Sequence, residues 1–178
     1  MNTISTSIDG VLIIEPKVFK DDRGFFYESW KASSYQMPTN GGFKQDNISF
    51  SIMNVLRGLH YQKGQGQIVS VLKGKIQDVI VDLRPSSKTF KQYVQIEISD
   101  EKVQQIYMPP GCAHGFWVMS EYALMSYKCS QIYIPNDELH IRWNDPELAI
   151  KWPERDFIIS DKDRSANFLS DILSELDY

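Results

Sequence analysis

Short apolar stretches separated by turn-forming residues are the dominant pattern along the chain. The stretches are rich in Val, Ile, Tyr and Phe, and Gly, Pro, Asn and Asp interrupt them about every ten residues. Examples are "VLIIEP", "GFFYESW", "NISFSI", "QIVSVLKG", "YVQIEIS" and "ALMSYKCSQIYIP". Strands of this length and spacing are typical of β-sandwiches and β-barrels. The pattern therefore predicts an all-β fold.

The segment "KIQDVIVDLR" is apolar on both faces. Along it, one set of side chains alternates with another: Ile76, Asp78, Ile80 and Asp82 against Gln77, Val79, Val81 and Leu83. We expect a strand inside a barrel wall that is buried on much of both sides. Just before it, "LKGKIQ" predicts a hairpin in which Gly74 supplies the positive φ of a tight turn.

Helical periodicity is weaker and falls in two segments. "KASSYQM" predicts one short turn, and "SANFLSDILSELDY" predicts a C-terminal helix with Ser165 as its N-cap. One face of that helix would be apolar and pack outside the sheet, through Phe168, Leu169, Ile172, Leu173 and Leu176.

Composition and charge narrow the classes of function. The chain has 178 residues, 42% of them hydrophobic, and no linker or repeat divides it, so we expect a single domain over residues 1–178. A net charge of −4 and a pI near 5.4 disfavour a nucleic-acid partner. Cys112 and Cys129 lack metal-ligand spacing, and no apolar run is long enough to cross a bilayer. We expect a cytoplasmic protein with no membrane partner.

Two short segments combine a histidine with glycine or proline. In "RGLHYQ", strand alternation places His60 beside Gly58 on one face and Arg57 on the other, and the glycine leaves room for a ligand. Arg57 can join His60 in one pocket only if the strand bulges at Gly58 or curves strongly. In "MPPGCAHGFWV", a rigid turn positions His114 at the start of a strand. Each histidine taken alone would also suit a hydrogen-bonded wall position.

Together the two segments resemble the paired motifs of cupin barrels. Cupins that bind a metal place three histidines and a glutamate around the ion, and the matching positions here hold His60, Gln62, Gln67 and His114. Neutral amides are poor ligands for divalent transition metals. The sequence therefore predicts a barrel without a metal site, whose chemistry depends on proton transfer.

Seven sequence blocks occur in order along the chain. They are "FKDDRGFFYESW", "KQDNISFS", "VLRGLHYQ", "QDVIVDLRPSSKTF", "PPGCAHGFWVMSEYALMSYKCSQIYIPN", "RWNDPELAIKWP" and "ISDKD". From about Val11 to Asp163 they resemble the dTDP-4-dehydrorhamnose 3,5-epimerases, the RmlC-type cupins. The resemblance implies a cupin-type antiparallel jelly-roll barrel that works as a homodimer on a nucleotide-diphosphate sugar, with no metal or other cofactor. The implied reaction is epimerisation at C3 and/or C5 of a nucleotide-diphospho-4-keto-6-deoxy sugar.

The resemblance also implies roles for individual residues. His60 matches the general base, Asp163 the carboxylate that orients it, and Tyr127 the acid on the opposite face of the sugar. Such a base is suitable because a carbon beside a ketone can lose its proton to a neutral histidine. The other matches line the sugar and diphosphate, hold the nucleotide or shape the pocket: Arg57, His114, Arg23, Phe26, Glu28, Gln45, Asn47 and Tyr133.

One part of the chain departs from the family pattern. The family usually has a lysine that supports the 4-keto oxygen and an arginine three residues later, where this chain has Gln67 and Ser70. Gln67 can still donate a hydrogen bond to an enolate, and Lys63, Lys73 or Lys75 could supply the missing charge. The departure suggests epimerisation of a single carbon, or action on a related CDP- or GDP-linked sugar.

Other functions fit parts of the sequence. A cupin that only binds nucleotide sugars would keep the pocket, but the set of His60, Tyr127 and Asp163 argues against it. A metal-dependent oxygenase-type cupin is disfavoured by Gln62 and Gln67. Taken singly, Tyr127 would suit wall packing, Asp163 a solvated tail, and "DDRG" an ordinary turn.

Overall fold

Thirteen β-strands form most of the regular structure in residues 1–35, 37 and 41–176, which the computed structural model describes. In chain order they are β1 (Asn2–Ser5), β2 (Leu12–Glu15), β3 (Val18–Asp21), β4 (Gly24–Tyr27), β5 (Gln45–Ile52), β6 (Leu56–Gln62), β7 (Gln67–Lys73), β8 (Lys75–Asp82), β9 (Tyr93–Ser99), β10 (Gln105–Met108), β11 (Cys112–Val118), β12 (Tyr122–Cys129) and β13 (Glu138–His140). Two short helices follow, α1 (Asp161–Arg164) and α2 (Leu169–Ile172). The all-β prediction is confirmed, although β1, β3 and β13 lie outside the stretches that the pattern indicated.

The strands form two main antiparallel sheets. One has six strands in the order β1-β2-β10-β7-β12-β5, and the other has five in the order β13-β6-β11-β8-β9. Strands β3 and β4 pair only with each other, as a separate hairpin. Val69 and Ile106 of the six-stranded sheet pack against Ile80 and Phe116 of the five-stranded sheet, so the main core lies between the two.

The five-stranded sheet is also buried on its outer face. There Val79 and Val81 of β8 pack with Leu169 of the C-terminal segment. Because Ile76 and Ile80 of the same strand join the core between the sheets, β8 is buried on both faces, as its sequence predicted.

The outer face of the six-stranded sheet is covered over β2, β10 and β7. Tyr35 packs there against Ile68 and Tyr107, in a third cluster of buried residues. The edge strand β5 carries Ile48 and Phe50 on this face, with most of their surface exposed. The edge of this sheet therefore presents an apolar surface.

The predicted hairpin at Gly74 is wrong. Gly74 does have a positive φ of 88°, but β7 and β8 on either side of it belong to different sheets and do not pair. A Cβ atom at this position would lie 2.0 Å from the carbonyl oxygen of Tyr122, so only glycine fits. The glycine therefore lets the chain cross from one sheet to the other.

The predicted C-terminal helix over residues 165–178 forms only in part, as α2 and the 3-10 turn that follows it. Ser165 is the C-cap of α1 and not the predicted N-cap, because the next helix, α2, begins after Phe168. Leu169 and Ile172 are buried, as expected, and α2 continues into a 3-10 turn at Leu173–Glu175. The last two residues of the predicted helix, at positions 177 and 178, lie outside the described residues. No helix in the described part of the chain combines the length and apolar character needed to cross a membrane.

Candidate active site

A cavity of about 380 Å³ lies between the two sheets, and we call it the central cavity. Many of the residues that the sequence predicted for the site line it: Gln45, Asn47, Arg57, His60, Gln67, His114, Tyr127 and Tyr133. Apolar parts of the wall come from Phe116 and Met125. Its volume is in the range typical of small-molecule sites.

A bulge in β6 brings Arg57 and His60 into the same cavity. His60 pairs with His114 and Arg57 pairs with Phe116, so two residues of β6 lie opposite the single residue Gly115. Gly58 within the bulge has a φ of 121°, and a Cβ there would meet the Gly115 Cα at 2.6 Å. The bulge that the sequence required at Gly58 is confirmed.

His60 is bonded to a carboxylate from the far end of the chain. Its Nε2 atom lies 2.7 Å from Oδ1 of Asp163, and Oδ2 of Asp163 accepts the backbone N–H of Gly58 at 3.3 Å. The Ser160 hydroxyl caps the helix that carries Asp163, and it accepts the backbone N–H of Asp163 at 3.1 Å. Asp163 is 4% exposed, so it does not lie in a solvated tail. The His60 side chain remains 37% exposed.

The pKa of the Asp163 carboxyl is held well below its usual range. Burial alone would raise that pKa, but contacts with His140 and His60 and the Gly58 N–H together outweigh burial. Asp163 is therefore ionised at neutral pH and can accept the Nε2–H of His60. In that tautomer, Nδ1 is the ring nitrogen of His60 that can take up a proton.

Tyr127 lies in the wall opposite His60. It belongs to β12 of the six-stranded sheet, between Asn47 and Val69 on the neighbouring strands, whereas His60 belongs to the five-stranded sheet. Burial raises the pKa of the Tyr127 hydroxyl above its ordinary value. The phenol therefore keeps its proton near neutral pH. The cavity thus has a proton acceptor on one side and a proton donor on the other.

Two further polar side chains are fixed in the wall. Arg57 donates from Nε to the Ser51 hydroxyl at 3.0 Å, and it is the only arginine or lysine among the lining residues that the structure describes. His114 is bonded through Nε2 to the fully buried carboxylate of Asp78. Arg57 therefore supplies the one permanent positive charge of this lining.

Amides form another part of the wall. Gln45 accepts the backbone N–H of Tyr133 at 2.8 Å and donates to Asn47 Oδ1 at 2.9 Å. Gln67 donates from Nε2 to Gln65 Oε1 at 2.7 Å. Because amides are both donors and acceptors, this wall can match the polar edges of a base or the hydroxyls of a sugar.

Arg23, Phe26 and Glu28 do not reach the central cavity of their own chain. Arg23 lies in the turn between β3 and β4 and pairs with Asp21. Phe26 is 65% exposed on the same hairpin, and Glu28 pairs with Lys31 just beyond it. Within one chain these residues are separated from the other site residues, and their contact with a nucleotide stays a prediction.

Comparison with known proteins decides the family. A family model described as dTDP-4-dehydrorhamnose 3,5-epimerase matches residues 5–171. This chain belongs to that family. It is similar to the dTDP-4-dehydrorhamnose 3,5-epimerase of Escherichia coli (strain K12), with 44% identity over 179 residues that cover 97% of each chain.

Solved structures of the epimerase family have the same fold. A dTDP-6-deoxy-D-glucose-3,5-epimerase from Legionella pneumophila, in complex with dTDP-4-keto-L-rhamnose, is 47% identical, with a TM-score of 0.93 over 98% of this chain and 95% of that one. A 3'-monoepimerase from Streptomyces bikiniensis, in complex with dTDP-quinovose, is 30% identical, with a TM-score of 0.88 over 96% and 90%. The predicted cupin-type jelly-roll barrel is confirmed.

Of the two departures from the epimerase family's usual sequence, only Gln67 concerns the central cavity. Ser70 is buried on the other side of its strand, where its hydroxyl accepts the Gln105 amide N–H at 2.8 Å. The lysines that could have supplied the missing charge do not line the cavity either: Lys63, Lys73 and Lys75. Lys73 and Lys75 are instead engaged in ion pairs with Asp100 and Glu97.

Two residues near the epimerase site, Glu138 and His140, were missed by the sequence analysis. Glu138 lines the central cavity and accepts hydrogen bonds from Tyr133, His140 and Lys162, each at 2.9 Å. The bond from His140 lowers the Glu138 pKa, and with Lys162 and Tyr133 it brings that pKa to about 2 despite burial. The available signal was "ELHI", whose polar and apolar residues alternate like a strand.

The side chains of His60, His140 and Asp163 form a compact group. Their potential metal-ligating atoms all lie within 4.8 Å of one another. However, ligand atoms each ~2.0–2.2 Å from a tetrahedral zinc ion would stand further apart than the 2.7 Å between His60 and Asp163. The observed arrangement is that of a hydrogen-bonded cluster. The absence of a metal from the reaction stays a prediction.

Proposed function

We propose that this protein inverts C3 and C5 of a dTDP-linked 4-keto-6-deoxy sugar, converting dTDP-4-dehydro-6-deoxyglucose into dTDP-4-dehydrorhamnose. The observation that carries the proposal is the placement of His60, bonded to Asp163, and Tyr127 in opposite walls of one cavity. Relatives named for this activity match nearly the whole chain, and a related structure holds a dTDP-linked keto sugar. In this proposal residues 1–178 act as one domain, without a cofactor.

His60 acts as the general base. The C–H bonds beside the 4-keto group are weakly acidic, because their electrons can move into the carbonyl as an enolate forms. His60 takes the proton on Nδ1, while Asp163 holds the opposite nitrogen and stabilises the imidazolium that results. A fixed ring also spares the enzyme the cost of orienting the base during the reaction.

Tyr127 acts as the acid on the other face of the sugar. Its hydroxyl gives a proton to the carbon from which His60 has removed one, so the configuration at that carbon inverts. Each inversion leaves His60 with one proton more and Tyr127 with one fewer. Exchange with water restores both groups before the next carbon reacts.

The diphosphate and the sugar are held by the polar wall. The forked donors of Arg57 suit paired phosphate oxygens, and His114 lies beside His60 in the same sheet. Gln45, Asn47 and Tyr133 form the amide-rich side where the nucleotide would lie. These assignments are part of the proposal and follow the polarity and placement of the side chains.

A homodimer would bring the remaining predicted residues to the site. The β3–β4 hairpin carries Phe25 and Phe26 with 61% and 65% exposure, and the outer face of β5 carries Ile48 and Phe50 with 70% and 58%. Exposed apolar surface of this kind is typical of an interface. We propose that the hairpin of one subunit covers the central cavity of the other, so that Arg23, Phe26 and Glu28 contact the nucleotide there.

The proposed location is the cytoplasm. Cys112 and Cys129 are both buried free thiols, which suits a reducing compartment.

Product analysis by NMR tests the reaction and the nucleotide together. The purified protein is incubated separately with the dTDP-, CDP- and GDP-linked forms of 4-keto-6-deoxyglucose. We expect conversion of the dTDP form, with the proton couplings of a sugar inverted at both C3 and C5. Conversion of the CDP or GDP form alone, or of none of the three, would contradict the proposal.

A second candidate is inversion of a single carbon. It is favoured by Gln67, a neutral amide where the family usually has lysine, and by the lack of any lysine among the described lining residues. Without a full charge at O4, the enolate is less stabilised, and losing one such donor can cost about 2.7–4 kcal/mol. A product inverted only at C3 or only at C5 in the same NMR experiment would support this candidate over the first.

A further inference from the structure

The three histidines of this chain lie in one row across adjacent strands. His60 on β6 pairs directly with His114 on β11 and with His140 on β13. Each ring contacts a carboxylate, and the row therefore places three imidazoles and their acidic partners side by side. The proposed reaction uses His60 and His114 but leaves His140 without a role.

His140 is packed against the base but does not line the cavity. The ring centroids of His140 and His60 are 4.6 Å apart with the planes at 64°. His140 Nδ1 lies 3.4 Å from Oδ1 of Asp163, the same oxygen that contacts His60, and its Nε2 lies 2.9 Å from Glu138 Oε2. Its side chain is only 14% exposed. It can therefore act on the substrate only through its neighbours.

We propose that His140 is a positioning residue for the reaction, an imidazole that shares Oδ1 of Asp163 with His60 and makes proton uptake by His60 depend on the charge of His140. The inference rests on the proposed function in that it takes His60 as the base. It goes beyond that function because it adds a second titrating ring behind the first.

The physical basis is competition for one carboxylate oxygen. When His60 takes a proton from the substrate, the new imidazolium is stabilised most if no second cation competes for the Asp163 carboxylate. If His140 is already charged, two positive rings lie beside one carboxylate oxygen. Each ring then lowers the proton affinity of the other. His140 thereby limits how tightly His60 holds a proton, which helps a base that must release it between two inversions.

The acidic surroundings of His140 favour its charged form. Burial lowers the pKa of His140, but contacts with Asp163 and Glu138 outweigh burial and raise it above its ordinary value, with Lys162 opposing them. The charged or titratable groups facing the ring are His60 on β6, Glu138 on its own strand, and Asp163 and Lys162 on α1; Tyr133 reaches the cluster through Glu138. His140 can therefore carry the positive charge that competes with His60 for Asp163.

The kinetic test compares the wild type with His140→Asn. Asparagine places a neutral amide near the position of Nδ1 and cannot become charged. We expect the acid limb of the kcat/KM profile to move to higher pH by on the order of one unit, because Asp163 then serves His60 alone. His140→Gln, which keeps a neutral group near Nε2, should shift the profile in the same direction and serves as the second variant if the first does not fold. An unshifted profile in a folded variant overturns the proposal.

An NMR titration tests the coupling without any turnover. With 15N-labelled histidine only three rings are observed, and His114, bonded to a different carboxylate, is the internal reference. In the wild type we expect the signals of His60 and His140 to change in two shared steps, and in His140→Asn we expect His60 to change in one step at higher pH. Identical His60 curves in both proteins overturn the inference even if the enzyme is active. Coupled curves in a protein that does not epimerise the sugar would instead leave the coupling standing and contradict the proposed function.

Discussion

The Nε2 atom of His60 lies 2.7 Å from Oδ1 of Asp163, a residue 103 positions further along the chain. The contact depends on the C-terminal segment, which runs beside the start of β6 where the Leu56 N–H donates to the Ile158 carbonyl. Ser160 then starts the helix that turns Asp163 towards the ring. The base is thus held in place by a segment that does not line the cavity.

Asp163→Asn should remove most of the turnover while leaving substrate binding intact. An amide in place of the carboxylate favours the wrong tautomer of His60, and the corresponding change in a serine protease triad lowers kcat about 10⁴-fold. We expect a loss of about 10³–10⁴-fold in kcat, with an unchanged Kd for dTDP measured by calorimetry. The matched control is Asp161→Asn, an exposed carboxylate on the same helix, which should behave like the wild type. Equal activity in the two variants would show that Asp163 does not support the base.

Tyr127→Phe should separate exchange from inversion. His60 can still remove a proton, but without the phenol the carbon regains one from the same side, so its configuration is kept. In heavy water we expect deuterium to enter the recovered substrate, while formation of inverted product falls ~10²–10⁴-fold. Mass spectrometry of the substrate and NMR of the product measure the two rates. Inversion at the wild-type rate in this variant would rule out Tyr127 as the acid.

Mixed dimers should reveal whether the β3–β4 hairpin serves the partner subunit. One parent carries His60→Asn, the other carries Arg23→Ala with Phe26→Ala, and the two are dissociated and reassociated together. If the hairpin crosses between subunits, each heterodimer has one cavity with both defects and one with neither, so activity returns to about one quarter of the wild type.

The control for this experiment pairs His60→Asn with Asp163→Asn. Each defect then disables the cavity of its own subunit, so no heterodimer has an intact cavity and no activity should return. Recovery in neither mixture, or in both, would contradict the exchange of hairpins between subunits.

Asp82 should stabilise the fold in a manner that depends on pH. Burial of Asp82 opposes its ionisation, but hydrogen bonds from Arg84, Ser87 and Thr89 outweigh burial and lower its pKa to about 2. Because the folded pKa lies below the unfolded one, the stabilisation is complete above about pH 4 and is lost as the pH falls towards 2. We expect Asp82→Asn to lower the free energy of unfolding by about 2 kcal/mol at pH 7 and by almost nothing near pH 2.

Urea unfolding at several pH values measures this difference. Glu97→Gln is the control, since it removes a carboxylate from the exposed ion pair with Lys75, and it should leave the stability unchanged at every pH. A constant deficit of Asp82→Asn from pH 7 to pH 2 would mean that shape or packing, and not ionisation, is responsible.

Local patterns were sufficient to predict most of the strands and the irregularity in β6. Alternating side chains indicated the two buried faces of β8, and the need to bring Arg57 beside His60 indicated the irregularity at Gly58. Both properties follow from neighbouring residues and from the period of a strand. The fold class could therefore be predicted from local patterns, whereas the roles of the site residues were implied by the resemblance to the epimerase family.

Features that depend on distant pairing could not be predicted in the same way. Gly74 was assigned to a hairpin because a tight turn and a crossing between sheets need the same positive φ, and only pairing distinguishes them. His140 was missed because the alternation in "ELHI" covers only four residues, too few to distinguish a strand from a loop, and the pairing of β13 with β6 is set by the whole barrel. The separation of the β3–β4 hairpin from the cavity likewise depends on tertiary structure.

Deuterium incorporation is the most direct measurement of the central claim. Wild-type protein and His60→Asn are incubated with dTDP-4-dehydro-6-deoxyglucose in heavy water, and the position of deuterium in the sugar is read by NMR. We predict that the wild type gives inverted product with deuterium at both C3 and C5, and that His60→Asn binds dTDP equally well but incorporates none. Exchange by His60→Asn at the wild-type rate, or no exchange by the wild type at either carbon, would contradict the account.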